Sequence, residues 1–398
     1  MGSDAIRAIG VRGVSRRDVL RAGAIGAGSL LVRPRPAAAG PEHLAAYIRD
    51  RMSAGRLPGL AATVLRDGEP VWTHVEGWAD VDARQPVVPD TIFMLASVSK
   101  TVVATAVMQA VEDGLLDLDA DVNDVLPFDV RLPAYPNRRI TGRQLLTHTS
   151  GLRDRWATLI PLYVRGDSTI GLGEFLEGYL VPGGTWFHEG NAYPFPPNHA
   201  YRYCNVAVSL AAYLVEAASG TPFETWCRDR IFAPLGMADT GWRLADVRAS
   251  QVAVPTRWSK ETGTFEGRHQ YGYPDYPDGE LRTTAPRLAR HLAMVIGGGA
   301  ADGTRVLRRD TVREMLRRQV PSISPGQGIV WYRVQKQGHD LIGHDGGDSG
   351  VATMCFFEPD TGTGVILLAN GNWRLSGGRW PLQQISTRLF DEAPRLGR

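Results

Sequence analysis

Strand patterns occupy both ends of this chain and helical patterns its middle, so a single sheet has to be assembled from the two termini with the helices inserted between them. Near the start, residues 60–65 and 70–74 read as two strands around an Asp67-Gly68 turn, preceded by a helix over 43–52. Near the end, 329–334, 340–342, 352–357 and 364–368 read as strands separated by turns such as Asp360-Thr361-Gly362, and 381–389 closes as a helix. Between them, Val102, Val103, Ala106, Val107 and Ala110 recur at helical spacing until Gly114 stops the run, and further helices are expected at 206–218, 223–231 and 285–295. The expected fold class is α/β: an antiparallel sheet flanked by helices, with an inserted all-helical lobe. The sheet lobe would draw on about 40–100 and 311–398, and the helical lobe on about 101–310.

A chain of 398 residues suits one large domain or two lobes sharing a core. Seven Arg and two Asp give residues 1–39 a charge of +5 against +2 for the whole chain, so the remainder carries −3. A slightly acidic body argues against nucleic acid as a partner. Within the basic segment, Arg16-Arg17 stands just ahead of an apolar run over 22–32, and Ala37-Ala38-Ala39 follows as a small-residue cleavage site. This order resembles a twin-arginine export signal. It implies an exported protein, extracellular or periplasmic, with a mature domain over 40–398. The apolar run falls short of the roughly 20 residues a bilayer span needs, and no membrane span is expected later in the chain. Three cysteines, Cys204, Cys227 and Cys355, are too few and too scattered for a disulfide framework or a zinc site.

The chemistry concentrates at Ser97-Val98-Ser99-Lys100. Positions i and i+3 share a helix face, so the Lys100 amine reaches the Ser97 hydroxyl through local geometry alone. A serine becomes nucleophilic when a base takes its proton, and a desolvated lysine near other cations can be that base. Only three of the 44 basic residues are lysine (Lys100, Lys260, Lys336), which gives this one added weight, since an arginine stays protonated. Farther on, Tyr203-Cys204-Asn205 precedes a helix. A tyrosine with its pKa lowered by neighbouring cations would pass a proton between Ser97 and a leaving group, and Asn205 would hold Lys100 or a substrate carbonyl. The third element is His344-Asp345-Gly346-Gly347, expected between two strands. There the backbone N–H of Gly347, with that of Ser97, would form an oxyanion hole.

These points resemble the serine β-lactamase and penicillin-binding protein superfamily, especially class C β-lactamases, DD-peptidases and the related esterases. The S-x-x-K pattern matches Ser97 and Lys100, Y-x-N matches Tyr203 and Asn205, and the final K/H-x-G matches His344 and Gly346. Supporting segments are Leu145 through Leu152, Pro234 through Met237 and Gly343 through Asn370, and the likeness runs from about 42 to 390. The resemblance implies a site in the cleft between a sheet lobe and a helical lobe, an acyl-enzyme and no cofactor.

Where β-lactamases carry Lys-Thr-Gly, this chain has His344-Asp345-Gly346, which loses a fixed cation and gains an anion. That shifts the expected substrate from penicillins toward neutral esters and amides, with a D-amino-acid peptide or a β-lactam-like amide among the substrates left open. Two alternatives stand beside hydrolysis: a transacylase passing the acyl group to an amine or alcohol, and a catalytically idle protein that captures acyl ligands. The irregular, aromatic-rich stretch 159–203 is expected to line the site. Gly347-Asp348-Ser349-Gly350 looks like the serine segment of trypsin-like proteases, but no Ala-His-Cys segment accompanies it.

Overall fold

Eight residues, Gly-Leu-Ala-Ala-Thr-Val-Leu-Arg, make strand β1 (Gly59–Arg66), and its side chains are buried on both faces. Such a strand has to lie inside a sheet with a layer on each side. A two-residue turn at Asp67 and Gly68, both at positive φ, reverses the chain into β2 (Glu69–Asp80), followed by the short β3 (Gln85–Pro86). The other four strands come from the far end of the chain: β4 (Tyr332–Lys336), β5 (His339–Asp348), β6 (Val351–Glu358) and β7 (Thr363–Ala369). The sheet runs β4-β5-β6-β7-β1-β2-β3, antiparallel at every pairing, with Leu60 of β1 opposite Ala369 of β7. One sheet built from both termini is therefore what the chain forms.

This is a computed structural model and it describes residues 41–372 and 381–397. The export segment read at 1–39 lies outside the described residues.

Side chains alternate along β1 and divide the core in two. Leu60, Ala62 and Val64 pack with α1 (Pro41–Gly55) and α5 (Pro381–Glu392), through Ile48, Ile385 and Leu389. Ala61 and Leu65 face the opposite layer, which holds α2 (Lys100–Glu112), α3 (Asn205–Ser219) and α4 (Ala285–Ile296). Helix α4 falls in the stretch expected to be helical lobe, but it lies on the sheet. A side chain at Gly364 of β7 would bring its Cβ to 2.9 Å from Leu292 Cδ2 and 3.3 Å from Ile296 Cδ1. The sheet lobe thus takes in this helix, which hydrophobic period alone does not reveal.

Two other expectations change. The strand expected from 329 begins at Tyr332, because Val330 sits at φ +64°, outside extended conformation. His344-Asp345-Gly346-Gly347 lies within β5 rather than between strands. Pairing with β4 stops at Gly343, so beyond it only β6 flanks β5 and its other edge is open. Among the described residues no single helix is long and apolar enough to cross a membrane.

Candidate active site

Ser97 sits in a 3-10 turn, Ala96–Ser99, that leads directly into α2. In such a turn positions i and i+3 eclipse, which aligns Ser97 with Lys100. The turn rests on β5. A side chain at Gly346 would bring its Cβ within 2.6 Å of the Leu95 carbonyl oxygen and 2.9 Å of the Ser97 nitrogen, so only glycine allows this approach. Thr353 on β6 donates its hydroxyl to the same Leu95 carbonyl at 2.6 Å and fixes the turn to the sheet.

Lys100 is fully buried. Its Nζ donates to Ser97 Oγ at 3.0 Å and to the Asp278 backbone carbonyl at 2.6 Å, and it stands 5.3 Å from the centre of the Tyr203 ring. No cation lowers its pKa as expected from the sequence. Burial works to lower it, but Tyr203, Asp278 and Asp154 outweigh burial and hold it above the ordinary lysine value.

Tyr203 presents its ring to the cleft, 38% exposed, while its hydroxyl is enclosed against Ser97 and Lys100. Burial raises its pKa, although Lys100 and the hydrogen bond with Ser97 pull the other way. The lowered tyrosine expected from the sequence is not what this environment produces. In the resting site both Lys100 and Tyr203 hold their protons.

Asn205 opens α3, and its side chain does not reach Lys100. Its Nδ2 donates to Asp154 Oδ2 at 2.9 Å, and its backbone N–H donates to the same carboxylate at 2.9 Å. The Val206 N–H adds a bond at 3.1 Å, so Asp154 caps α3 from a distant loop. Burial raises the Asp154 pKa despite these donors.

His148, which lay in a supporting segment of the sequence, orders the residues around Tyr203. Held at φ +56°, it accepts the Arg202 N–H on its carbonyl at 2.8 Å and the Cys204 N–H on Nδ1 at 3.3 Å. Its ring lies 4.3 Å from that of Tyr203. Since Nδ1 accepts, Nε2 carries the proton, and that atom is buried without a partner. Burial, then Lys100 and His344, push its pKa well below the ordinary histidine value.

His344 donates Nδ1–H to the Asp345 carbonyl at 2.5 Å, which leaves the lone pair on Nε2. Burial lowers its pKa to about 4, opposed by Asp345 and helped by Lys100, so the imidazole is neutral near pH 7. The fixed cation of the Lys-Thr-Gly pattern is absent at this position. Arg153 and Arg333 do line the same cavity, but Arg333 is paired with Asp340 at 2.9 Å.

Ser97, Tyr203, Asn205, His344, Gly346 and Gly347 all border one cavity of about 780 Å³, with Lys100 directly beneath Ser97. From the aromatic stretch, Tyr193 and Tyr201 line it too, whereas Phe175 and Tyr179 are core residues. Asp154 and Asp278 were not legible in the sequence, since each reaches the site through the tertiary fold rather than through a local pattern. Cys204, Cys227 and Cys355 are buried and form no disulfide with one another. Among the described residues no group of three His, Cys, Asp or Glu side chains is placed to hold a metal ion.

A family model described as Beta-lactamase matches residues 44–382. Penicillin-binding protein 4 of Amycolatopsis lactamdurans is 28% identical over 340 residues, which span 82% of this chain and 85% of that protein. Esterase EstB of Burkholderia gladioli is 35% identical over 201 residues, half of each chain. In three dimensions the chain is similar to D-amino acid amidase from Ochrobactrum anthropi SV3, solved with L-phenylalanine. The TM-score is 0.71 at 21% identity, covering 89% of this chain and 99% of that one, a likeness of fold.

Proposed function

Because the chain belongs to the β-lactamase family and is a serine hydrolase of that superfamily, we propose that it cleaves a carboxylic ester or amide through an acyl-enzyme on Ser97. The observation that carries this reading is the 3.0 Å contact of Lys100 Nζ with Ser97 Oγ in the cavity that Tyr203 also borders.

The Lys100–Tyr203 pair sheds one proton and then accepts that of Ser97. Oγ attacks the substrate carbonyl, a C–O bond forms, and the negative charge on the carbonyl oxygen falls to the backbone N–H groups of Ser97 and Gly347. The pair returns its proton to the departing oxygen or nitrogen through Tyr203, and the bond to the leaving group breaks. Water repeats the sequence and frees Ser97. Neutral His344 offers a hydrogen-bond acceptor and no charge, which favours uncharged substrates over those recognised by a carboxylate.

Intact mass after incubation with a fluorophosphonate tests the acyl-enzyme: the expected result is one adduct, located at Ser97. Rates on p-nitrophenyl butyrate and nitrocefin test the substrate. Nitrocefin turnover far above that of the ester would end the neutral-substrate reading. Adding an amine to the ester assay measures transfer directly, since Tyr193 and Tyr201 border the cavity where an acceptor would enter. Export through the segment around Arg16-Arg17 belongs to the same proposal, and a reporter fused to residues 1–39 tests it.

A further inference from the structure

A second concavity, of about 750 Å³, opens beside the first, and Trp156 lines both. Its apolar walls are Trp156, Ile160, Tyr163, Val164 and Tyr271, and the end of β5 at Asp348 and Ser349 forms its floor. Trp156, Ile160 and Val164 are 49%, 62% and 40% exposed, three of the seven large apolar side chains left exposed among the described residues. Scattered exposure needs no explanation, but apolar exposure gathered in a concavity beside a nucleophile indicates a ligand surface.

Asp348, Ser349, Arg268 and Tyr163, among the polar groups that line the groove, are engaged with one another, and Arg165 and His269 line it as well. Asp348 Oδ1 accepts the Ser349 N–H at 2.6 Å, and its Oδ2 faces the Tyr163 hydroxyl at 3.5 Å. Arg268 donates to Ser349 Oγ at 2.8 Å. Tyr163 packs its ring on Tyr271 and Tyr273, at 5.6 and 4.6 Å, which fixes the wall. Beside Arg165 and His269, the surface offered to a ligand is the apolar one of Trp156, Ile160 and Val164.

The strand sets the direction. His344 through Gly347 borders the cavity of Ser97, and Asp348 and Ser349 border the groove. Tyr203, which returns the proton to the leaving group, lies with its ring 6.2 Å from that of His344, at the upstream end. The leaving group therefore occupies the Tyr203 side and the acyl group extends the other way along β5. We infer that this groove is the acyl-binding arm of the site and takes an apolar acyl group larger than acetyl. The inference rests on the acyl-enzyme reading above and adds the substrate class.

Two fluorophosphonates, carrying methyl or octyl on phosphorus in the place of the acyl chain, separate the two claims when labelling of Ser97 is followed by intact mass. Each methylene fully covered by apolar wall is worth about fourfold, so octyl labels about tenfold or more faster than methyl. Ile160→Ser and Trp156→Ala, tested singly, each narrow the octyl-to-methyl ratio severalfold. Both side chains are exposed, so the variants fold, which melting curves verify. Val88→Ser, at an exposed position lining neither cavity, leaves the ratio unchanged. A wild-type ratio near one, or a ratio that neither groove variant moves, overturns the acyl-arm assignment. Failure of both probes to label Ser97 in folded protein overturns the acyl-enzyme reading itself, and the arm with it.

Discussion

Lys100 and Asp278 meet twice: the ammonium donates to the Asp278 backbone carbonyl at 2.6 Å and stands 3.8 Å from its carboxylate. The backbone contact holds the lysine in place, and the side chain sets its charge. Asp278 is buried with Asp275 and shares a side-chain hydrogen bond with it; burial raises both pKa values. The two cannot both ionise freely at such contact, and the carboxylate of Asp278 still raises the Lys100 pKa.

Asp278→Asn keeps the backbone carbonyl and removes the carboxylate. Since the carboxylate raises the Lys100 pKa, its loss lowers that pKa, and the Lys100–Tyr203 pair gives up its proton at lower pH. The acidic limb of kcat/KM against pH therefore moves down by about one unit, a typical effect of a close charge. An acidic limb that stays in place sinks the assignment.

Ser97 and Ser99 lie two residues apart and have different roles. Ser99 Oγ is buried and accepts the Leu281 N–H at 3.2 Å, a structural contact. Ser97→Ala is expected to lose the fluorophosphonate adduct and about 10³-fold or more in ester turnover. Ser99→Ala should keep the adduct at a cost of about 1 kcal/mol in unfolding free energy. Labelling of Ser97→Ala at the wild-type rate would falsify the choice of nucleophile.

His148 pins the segment that carries Tyr203, by its carbonyl to Arg202 and its ring to Cys204. Asparagine tolerates the left-handed φ of this position, so His148→Asn removes the ring contact without adding backbone strain. A Tyr203 displaced by a fraction of an ångström slows proton transfer, and labelling of Ser97 should fall about ten- to a hundredfold with little change in KM. Labelling at an undiminished rate would show that the ring does not position the tyrosine.

His291 is buried in the core, with Nε2 3.0 Å from Thr105 Oγ1 and Nδ1 unpartnered. Burial lowers its pKa to about 4, against roughly 6.5 in an unfolded chain. Below pH 6.5 the unfolded chain binds a proton that the folded one refuses until about pH 4, so stability falls as pH drops through that window. Between pH 7 and pH 4.5 this one group accounts for about 2–3 kcal/mol. Urea unfolding of His291→Gln should show an acid loss smaller by that amount; a loss equal to that of the wild type would refute it.

The sheet and the contact between Ser97 and Lys100 were legible in the sequence because local patterns encode them. Short, nearly continuous apolar runs bounded by turns mark β1, β6 and β7, and the spacing of Ser97 and Lys100 suffices to bring them together. Electrostatic tuning was not legible. The sequence suggests cations around Lys100, but the fold brings Asp278 from the loop before α4 and Asp154 from the loop after His148, and the direction of both expected pKa shifts reverses. Asn205 was found by its place in a motif, yet its partner Asp154 stands 51 residues away in sequence, beyond any local pattern. The register of β5 was missed because its glycines resemble a turn; only the close approach of Leu95 and Ser97 explains why a strand needs them.

The central strand β1 has its neighbours at opposite ends of the chain, β2 just after it and β7 at 363–369. During synthesis β1 and β2 emerge first as a hairpin, and one edge of β1 stays unpaired until residues 363–369 have been made. Closing a sheet across so long a loop is slow, and an uncovered apolar strand invites aggregation meanwhile. The sheet therefore cannot close until residues 363–369 are available to pair with β1. A truncation that stops before residue 363 yields no smaller working domain, because β1 is then left without its β7 partner beneath the helix layer that carries Ser97.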